Sequence, residues 1–291
     1  MSAKDDPLVL GIAVTVEMLD AWSGWFAPTE QPFLVADWEY DVGERRSFIL
    51  PELRDTFALY DEQETLRDAV WLSEPDFAAL PPALRRRLVR EQVQRGRDAV
   101  PTMSGWGHLA GPAAAAQAGG RRFVWWPSLL RPDPLRVLGP YILEGRLASR
   151  HAEVPPSVWR DTHGVLPLAK DLGGRFPTRS GPNCFGTVMA AAGVTGADDV
   201  WIQREPFEEW LAANTDPGGR DNEVGTVLVW RSPDHAVQHA AVTLGGGFAL
   251  HKPSQGWMSP TKVLSVAEVK ASARAVGRRL QRYRLNRPPK R

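Results

Sequence analysis

Cysteine is nearly absent from this chain: its 291 residues hold one, Cys184. One thiol cannot close an intrachain disulfide, so a disulfide scaffold is excluded, and so is a cysteine-rich zinc site. An excess of charge is lacking too. Lys and Arg number 35 against 34 Asp and Glu, a formal net charge of +1, and the bulk electrostatics call for neither nucleic acid nor a membrane surface. No apolar run approaches the length that spans a bilayer. The N-terminus lacks the marks of a signal peptide. Lys4 is followed at once by Asp5 and Asp6, and the apolar run from Leu8 to Val16 meets Glu17 and Asp20. The expectation is a cytoplasmic protein.

What is present is ordinary in bulk and uneven in detail. Hydrophobic content of 43% and charge of 24% suit a globular chain long enough for one large domain or two small ones. Tryptophan is abundant at twelve. Trp22, Trp25, Trp38, Trp71, Trp106, Trp125, Trp126 and Trp159 fall outside the segment that carries the thiol. They serve packing, or an aromatic platform for sugar or peptide substrates.

Segments 7–16, 33–40, 46–50 and 123–126 read as strands. Pro82 suits a first helical turn, and Ala83 to Arg97 spaces apolar residues helically among Arg85, Arg86, Arg87, Arg90, Arg95 and Arg97. Those arginines form a solvated face or an anion patch. Residues 98–121 read as a loop, or as a helix through 111–118. Val269, Ala273, Val276, Leu280 and Tyr283 share a helical face, which predicts a basic C-terminal helix, with contact to nucleic acid as the alternative. The expected organisation is an N-terminal mixed α/β domain over 1–155, of undisclosed role, and a second domain over 156–291.

The second domain carries the chemistry. Cys184 lies where a turn-forming run, Ser180-Gly-Pro-Asn183, gives way to a small-residue helix. Amides at a helix N-terminus favour the thiolate. His239 opens one strand-like run, Gly245 to Gly247 turn the chain, and His251 closes the next, so the spacing predicts a hairpin that brings the two imidazoles together. The roles that follow are Cys184 as nucleophile, His239 as general base and acid, and His251 as the residue that orients His239. Asn183 caps the helix and sits with Phe185, Gln255 and Trp257 among the substrate contacts, with Lys252 in the segment that rims the pocket. His235 is the fallback base and His163 a surface residue. Zinc on Cys184, His239 and His251 is the chemical alternative; the favoured reading uses no metal and no cofactor.

Residues 180–257 resemble the NlpC-type cysteine peptidases of the papain-like superfamily. A cysteine opens a helix, then Gly225-Thr-Val-Leu-Val-Trp, His239-Ala-Ala-Val-Thr-Leu-Gly-Gly-Gly and His251 follow in the family's order. The resemblance implies an α+β fold with the cysteine helix packed on an antiparallel sheet. It implies hydrolysis of a peptide or amide, γ-glutamyl or cell-wall-like, through an acyl-thioester. The family places Asp before the cysteine and Ser-Gly after it; here stand Asn183 and Phe185-Gly186, and Phe185 would narrow the acyl pocket. An acyltransferase using the same pair and a catalytically inert binding module are the competing readings. The expected partner is a peptide or amide small molecule, without membrane or nucleic acid.

Overall fold

A computed structural model describes residues 6–35, 44–46, 48–60, 69–117, 119 and 121–286. The chain is α+β, with antiparallel pairing in every sheet. It divides into two units: Met1–Pro7 with Val14–Glu144, and the hairpin Leu8–Ala13 together with the chain from Gly145 onward. The units part at 144/145, against the expected 155/156, and the second takes a piece from within the span of the first.

That piece is the smallest sheet, β1 (Leu8–Val9) and β2 (Ile12–Ala13). Leu10 and Gly11 take φ of 54° and 75°, the two positive values that a tight hairpin turn needs. The carbonyl of Leu10 accepts from the Ser149 amide at 2.8 Å, which ties the hairpin to its own unit.

The first unit is mostly helical. Its helices are α1 (Val16–Phe26), α2 (Pro51–Phe57), α3 (Glu74–Ala79), α4 (Pro82–Gln94), α5 (Met103–Gln117), α6 (Pro127–Leu130) and α7 (Leu135–Leu143). A two-stranded sheet joins β3 (Glu30–Leu34) to β4 (Ala69–Ser73). Of the expected strands, 46–50 forms none among its described residues, because Pro51 starts α2 immediately after. Segment 36–43 lies outside the described residues, Trp38 included. Phe123 to Trp126 is extended but makes no ladder; it is buried on all sides and runs into α6. Residues 103–117 are helical with a break at Gly111 (φ 75°) before Pro112. The core is aromatic: Trp22, Phe26, Phe33, Phe77, Phe123, Trp125 and Trp126 are fully buried, so these indoles are packing rather than platform.

Arg97, expected on a solvated face, is buried here. Its guanidinium donates to the Pro32 carbonyl at 2.9 Å and to Gln31 Oε1 at 2.6 Å, and it lies over the rings of Phe57 and Phe33 at 4.2 and 5.1 Å. Burial pulls its pKa down to about 9, which leaves it charged at neutral pH. Gln92 does similar work at the open edge of β3. Its amide accepts from Leu34 N at 2.7 Å and donates to Leu34 O at 2.9 Å, pairing like one more strand residue.

The second unit is built on a six-stranded sheet in the order β5-β10-β6-β7-β8-β9. The strands are β5 (Thr215–Pro217), β6 (Val224–Arg231), β7 (Val237–Gly245), β8 (Phe248–His251), β9 (Lys262–Ser265) and β10 (Arg279–Leu285). Its helices are α8 (Pro156–His163), α9 (Ala169–Leu172), α10 (Cys184–Ala191), α11 (Arg204–Asn214) and α12 (Val266–Ser272). One face, with Val227, Val229, Ala240, Val242 and Leu250, packs on α10 and its neighbours. The other, with Leu228, Trp230, Ala241 and Ala249, is covered by Val266, Val269 and Ala273 at and just beyond α12.

The expected basic C-terminal helix is corrected. The helical part ends at Ser272, and Arg279–Leu285 is a strand between β5 and β6. Its alternation suits both faces: Leu280 packs on the α12 side, Tyr283 and Leu285 on the other. Its cations are answered locally, Arg282 by Asp221 at 2.9 Å and Arg284 by Glu223 at 3.8 Å, and Asp221 also holds Lys270. The tail beyond residue 286 lies outside the described residues.

Candidate functional site

Helix α10 begins at the thiol because Asn183 stops the chain in extended geometry and caps it. Asn183 Oδ1 accepts from the Gly186 amide at 3.0 Å, and its Nδ2 donates to the Ile202 carbonyl at 2.7 Å. Both ends of this amide are occupied, so Asn183 is a cap and not the expected substrate contact. Gly186 is required by close approach: a Cβ there would stand 2.1 Å from the Ala197 carbonyl oxygen. Ala190 and Ala191 are fully buried in the core that α10 shares with β7.

Phe185 does not shape an acyl pocket. Its ring stacks on Phe207 at 4.5 Å and 18°, inside the core. Trp257 is fully buried, and its amide donates to Ser180 Oγ at 3.1 Å. The carbonyl of Gln255 accepts from Gly181 N at 2.9 Å. These two residues staple the 252–261 loop onto the turn before Cys184; in this structure they are scaffold, and Gln255 alone of the four expected contacts keeps partial exposure.

The thiol of Cys184 is 9% exposed. Amides of Ala240, Phe185 and Cys184 itself turn toward it, and the charge of Lys252 also favours its thiolate. Burial outweighs all four and pushes the thiol up to about 11. A cavity of 30 Å³ bordered by Pro182, Asp198 and Lys252, with room for about one water, does not include Cys184 in its lining.

His239 and His251 do come together, their ring centroids 4.9 Å apart at 61°. His239 is paired across the ladder with Trp230, at 5.5 Å between rings, and His251 with Lys262. Strand alternation puts both imidazoles on the Trp230 face, whereas Cys184 packs on the opposite face with Ala240 and Leu250. The thiol thus meets the amide of Ala240, the residue after His239, and among the described residues no hydrogen bond joins Cys184 to either ring.

His239 Nε2 and His251 Nδ1 are buried with no hydrogen-bond partner. Burial pushes His239 down to about 4, with the charge of Arg278 adding to it. His251 falls well below its ordinary value, by burial first and then by His239, Lys262 and Lys252. Lys262 is itself lowered to about 8 by burial, with Arg146 adding to it, and donates to the Leu147 carbonyl at 2.9 Å. Two neutral imidazoles ringed by cations therefore lie side by side, each with one buried nitrogen that has no partner.

Lys252 acts on Cys184 from inside the fold rather than from a rim. It is 1% exposed, with its ammonium on the Ser259 carbonyl. Its adjacency to His251 was the available signal: on a strand end, the neighbour of a residue on one face turns to the other. His235 sits exposed in the turn before β7 at φ 66°.

No helix among the described residues is long and apolar enough to cross a membrane, and no group of three His, Cys, Asp or Glu among them is placed to hold a metal ion. Comparison with family models, with curated proteins and with solved structures finds no match, so the functional reading rests on this geometry.

Proposed function

We propose that the second unit is a thiol hydrolase of papain-like arrangement, which cleaves a peptide or other amide through an acyl-thioester on Cys184. The reading is carried by the orphaned imidazole pair, His239 and His251, held on β7 and β8 next to the amide that receives the thiol. A buried polar atom without a partner costs stability, and here two of them belong to neighbouring titratable rings.

In this mechanism Sγ attacks the substrate carbonyl while the thiol proton passes to His239. The ring of His251, 4.9 Å away, packs against it. The proton then goes to the leaving amine as the C–N bond breaks. Water attacks the thioester, gives its proton to His239, and releases the acid and the thiol. Because thiol and imidazole both rest neutral, the proton moves only with a carbonyl in place. The chemistry is general-base attack rather than a standing ion pair, and thiol and ring must first come to the same side of the sheet.

The test uses a peptidyl chloromethyl ketone, which reports substrate-like attack on the thiol. Mass spectrometry should place it on Cys184, with labelling slowed about a hundredfold in His239→Ala. Equal rates in the two proteins would overturn the reading. The second reading, an inert binding domain of the same fold, is favoured by one observation: thiol and imidazoles lie on opposite faces of the sheet. It would then take over.

A further inference from the structure

The first unit holds a cavity of 770 Å³ that the hydrolase reading leaves unused. Residues 86, 89, 90, 93 and 94 of α4 line it, a single helical stripe. The opposite wall is Thr102 to Ser104, the cap and first turn of α5, and the segment Arg121-Arg122. Four arginines converge on it, Arg86, Arg90, Arg121 and Arg122, and among the described residues no Asp or Glu lines it.

A merely solvated arginine face looks different, and the same helix shows the contrast. Arg87, one position on, is answered by Glu91 at 2.8 Å. Among the described residues none of the four cavity arginines has a carboxylate partner, yet two are held in place. Arg122 donates to the Val100 carbonyl at 2.8 Å. The stem of Arg86 lies across Gly119, where a Cβ would stand 2.6 Å from Arg86 Cδ, and Gly119 has a φ of 77° that side chains avoid. Four cations with no counter-charge repel one another, a cost that a bound anion removes. A helix N-terminus on the same wall adds amide dipoles directed at negative charge. Val89, Val93 and Met103 supply the apolar remainder.

We propose that this cavity binds a small phosphate-bearing molecule with an apolar or aromatic body, of about nucleotide size. Guanidinium forks match phosphate oxygens two at a time, which favours phosphate over a single carboxylate. The volume falls within the range of small-molecule sites, several hundred Å³. The apolar strip beside the charge predicts that the organic part adds affinity.

The experiment is calorimetric titration of the full chain at physiological salt with ADP, with inorganic pyrophosphate, and with a short single-stranded RNA. ADP should bind one to one and more tightly than pyrophosphate. The doubly substituted Arg90→Gln/Arg121→Gln protein should bind ADP at least about tenfold more weakly, the loss expected for charge-assisted hydrogen bonds. Both positions are exposed, and an unchanged circular dichroism melt should show that the variant folds. Three results would overturn the proposal: no saturable binding of either phosphate probe, binding that the double substitution leaves unchanged, or RNA binding that exceeds ADP and grows with oligonucleotide length. The last would mark a nucleic-acid surface instead.

Discussion

Arg97 of the first unit and the histidine pair of the second are buried in opposite ways. In the first, Arg97 is enclosed with an acceptor for each arm of its guanidinium and two aromatic rings against its faces. In the second, His239 and His251 are enclosed with one nitrogen of each ring bare and cations around them. The first arrangement is what a fold does to make a buried charge tolerable. The second leaves a cost standing.

The strongest way to break this contrast is Arg97→Leu. It strips partners from Gln31 and the Pro32 carbonyl, and should cost about 4 kcal/mol in denaturant unfolding. A loss under about 1 kcal/mol would mean that the arginine is no keystone. Next comes Gly186→Ala, which sets a methyl against the Ala197 carbonyl and should cost about 3 kcal/mol while shifting α10 and silencing the thiol. A fully stable variant would show that the 197 loop yields easily.

Acidification probes the imidazoles directly. The folded pKa of His239, about 4, lies below its ordinary 6.5. Its contribution is therefore complete above pH 6.5 and is lost as pH falls from 6.5 to 4, up to about 3 kcal/mol. Cys184 mirrors this: its folded value, about 11, lies above its ordinary 9.0, so its contribution is complete below pH 9 and fades between 9 and 11. Stability should be flat only from pH 6.5 to about 8, above which Lys262 begins to titrate; a flat line down to pH 4 would contradict the burial of the ring. The smallest effect is the sharpest. His239→Phe/His251→Phe replaces both bare nitrogens by apolar rings and should change stability by less than about 1 kcal/mol, while chloromethyl ketone labelling collapses. A large loss of stability would make the pair structural after all.

Much of the second unit was legible in the sequence. The cap at Asn183, the helix from Cys184 and the hairpin between His239 and His251 follow from local chemistry: an Asx cap, small residues at helical spacing, three glycines between alternating runs. The facing of the histidines was legible but easily missed, since Ala240, Val242 and Leu244 form the core stripe of β7 and leave position 239 to the other face. The last strand was not legible. Val269 through Tyr283 happens to carry apolar residues at helical intervals, and only the vacancy between β5 and β6 makes Arg279–Leu285 a strand. Phe123 to Trp126 misled for the converse reason: a continuous apolar run is buried from every side, whether or not a ladder exists to receive it. The arginine cavity lies between these cases, since its α4 stripe is periodic but Arg121 and Arg122 join it only in three dimensions.

The short hairpin β1–β2 has a consequence for how the molecule is made. Leu10 is synthesised early, and the amide that receives its carbonyl, on Ser149, emerges only after all of Val14–Glu144 has been translated. At ribosomal speeds that delay is on the order of ten seconds. Most of the first unit, Val14–Glu144, is one continuous stretch and has time to fold on the nascent chain. The second must wait for the far strand of its own sheet, β10, before its central ladder closes. Translational pausing before codon 279 should therefore expose an incomplete sheet edge to chaperones, whereas pausing before 145 should not.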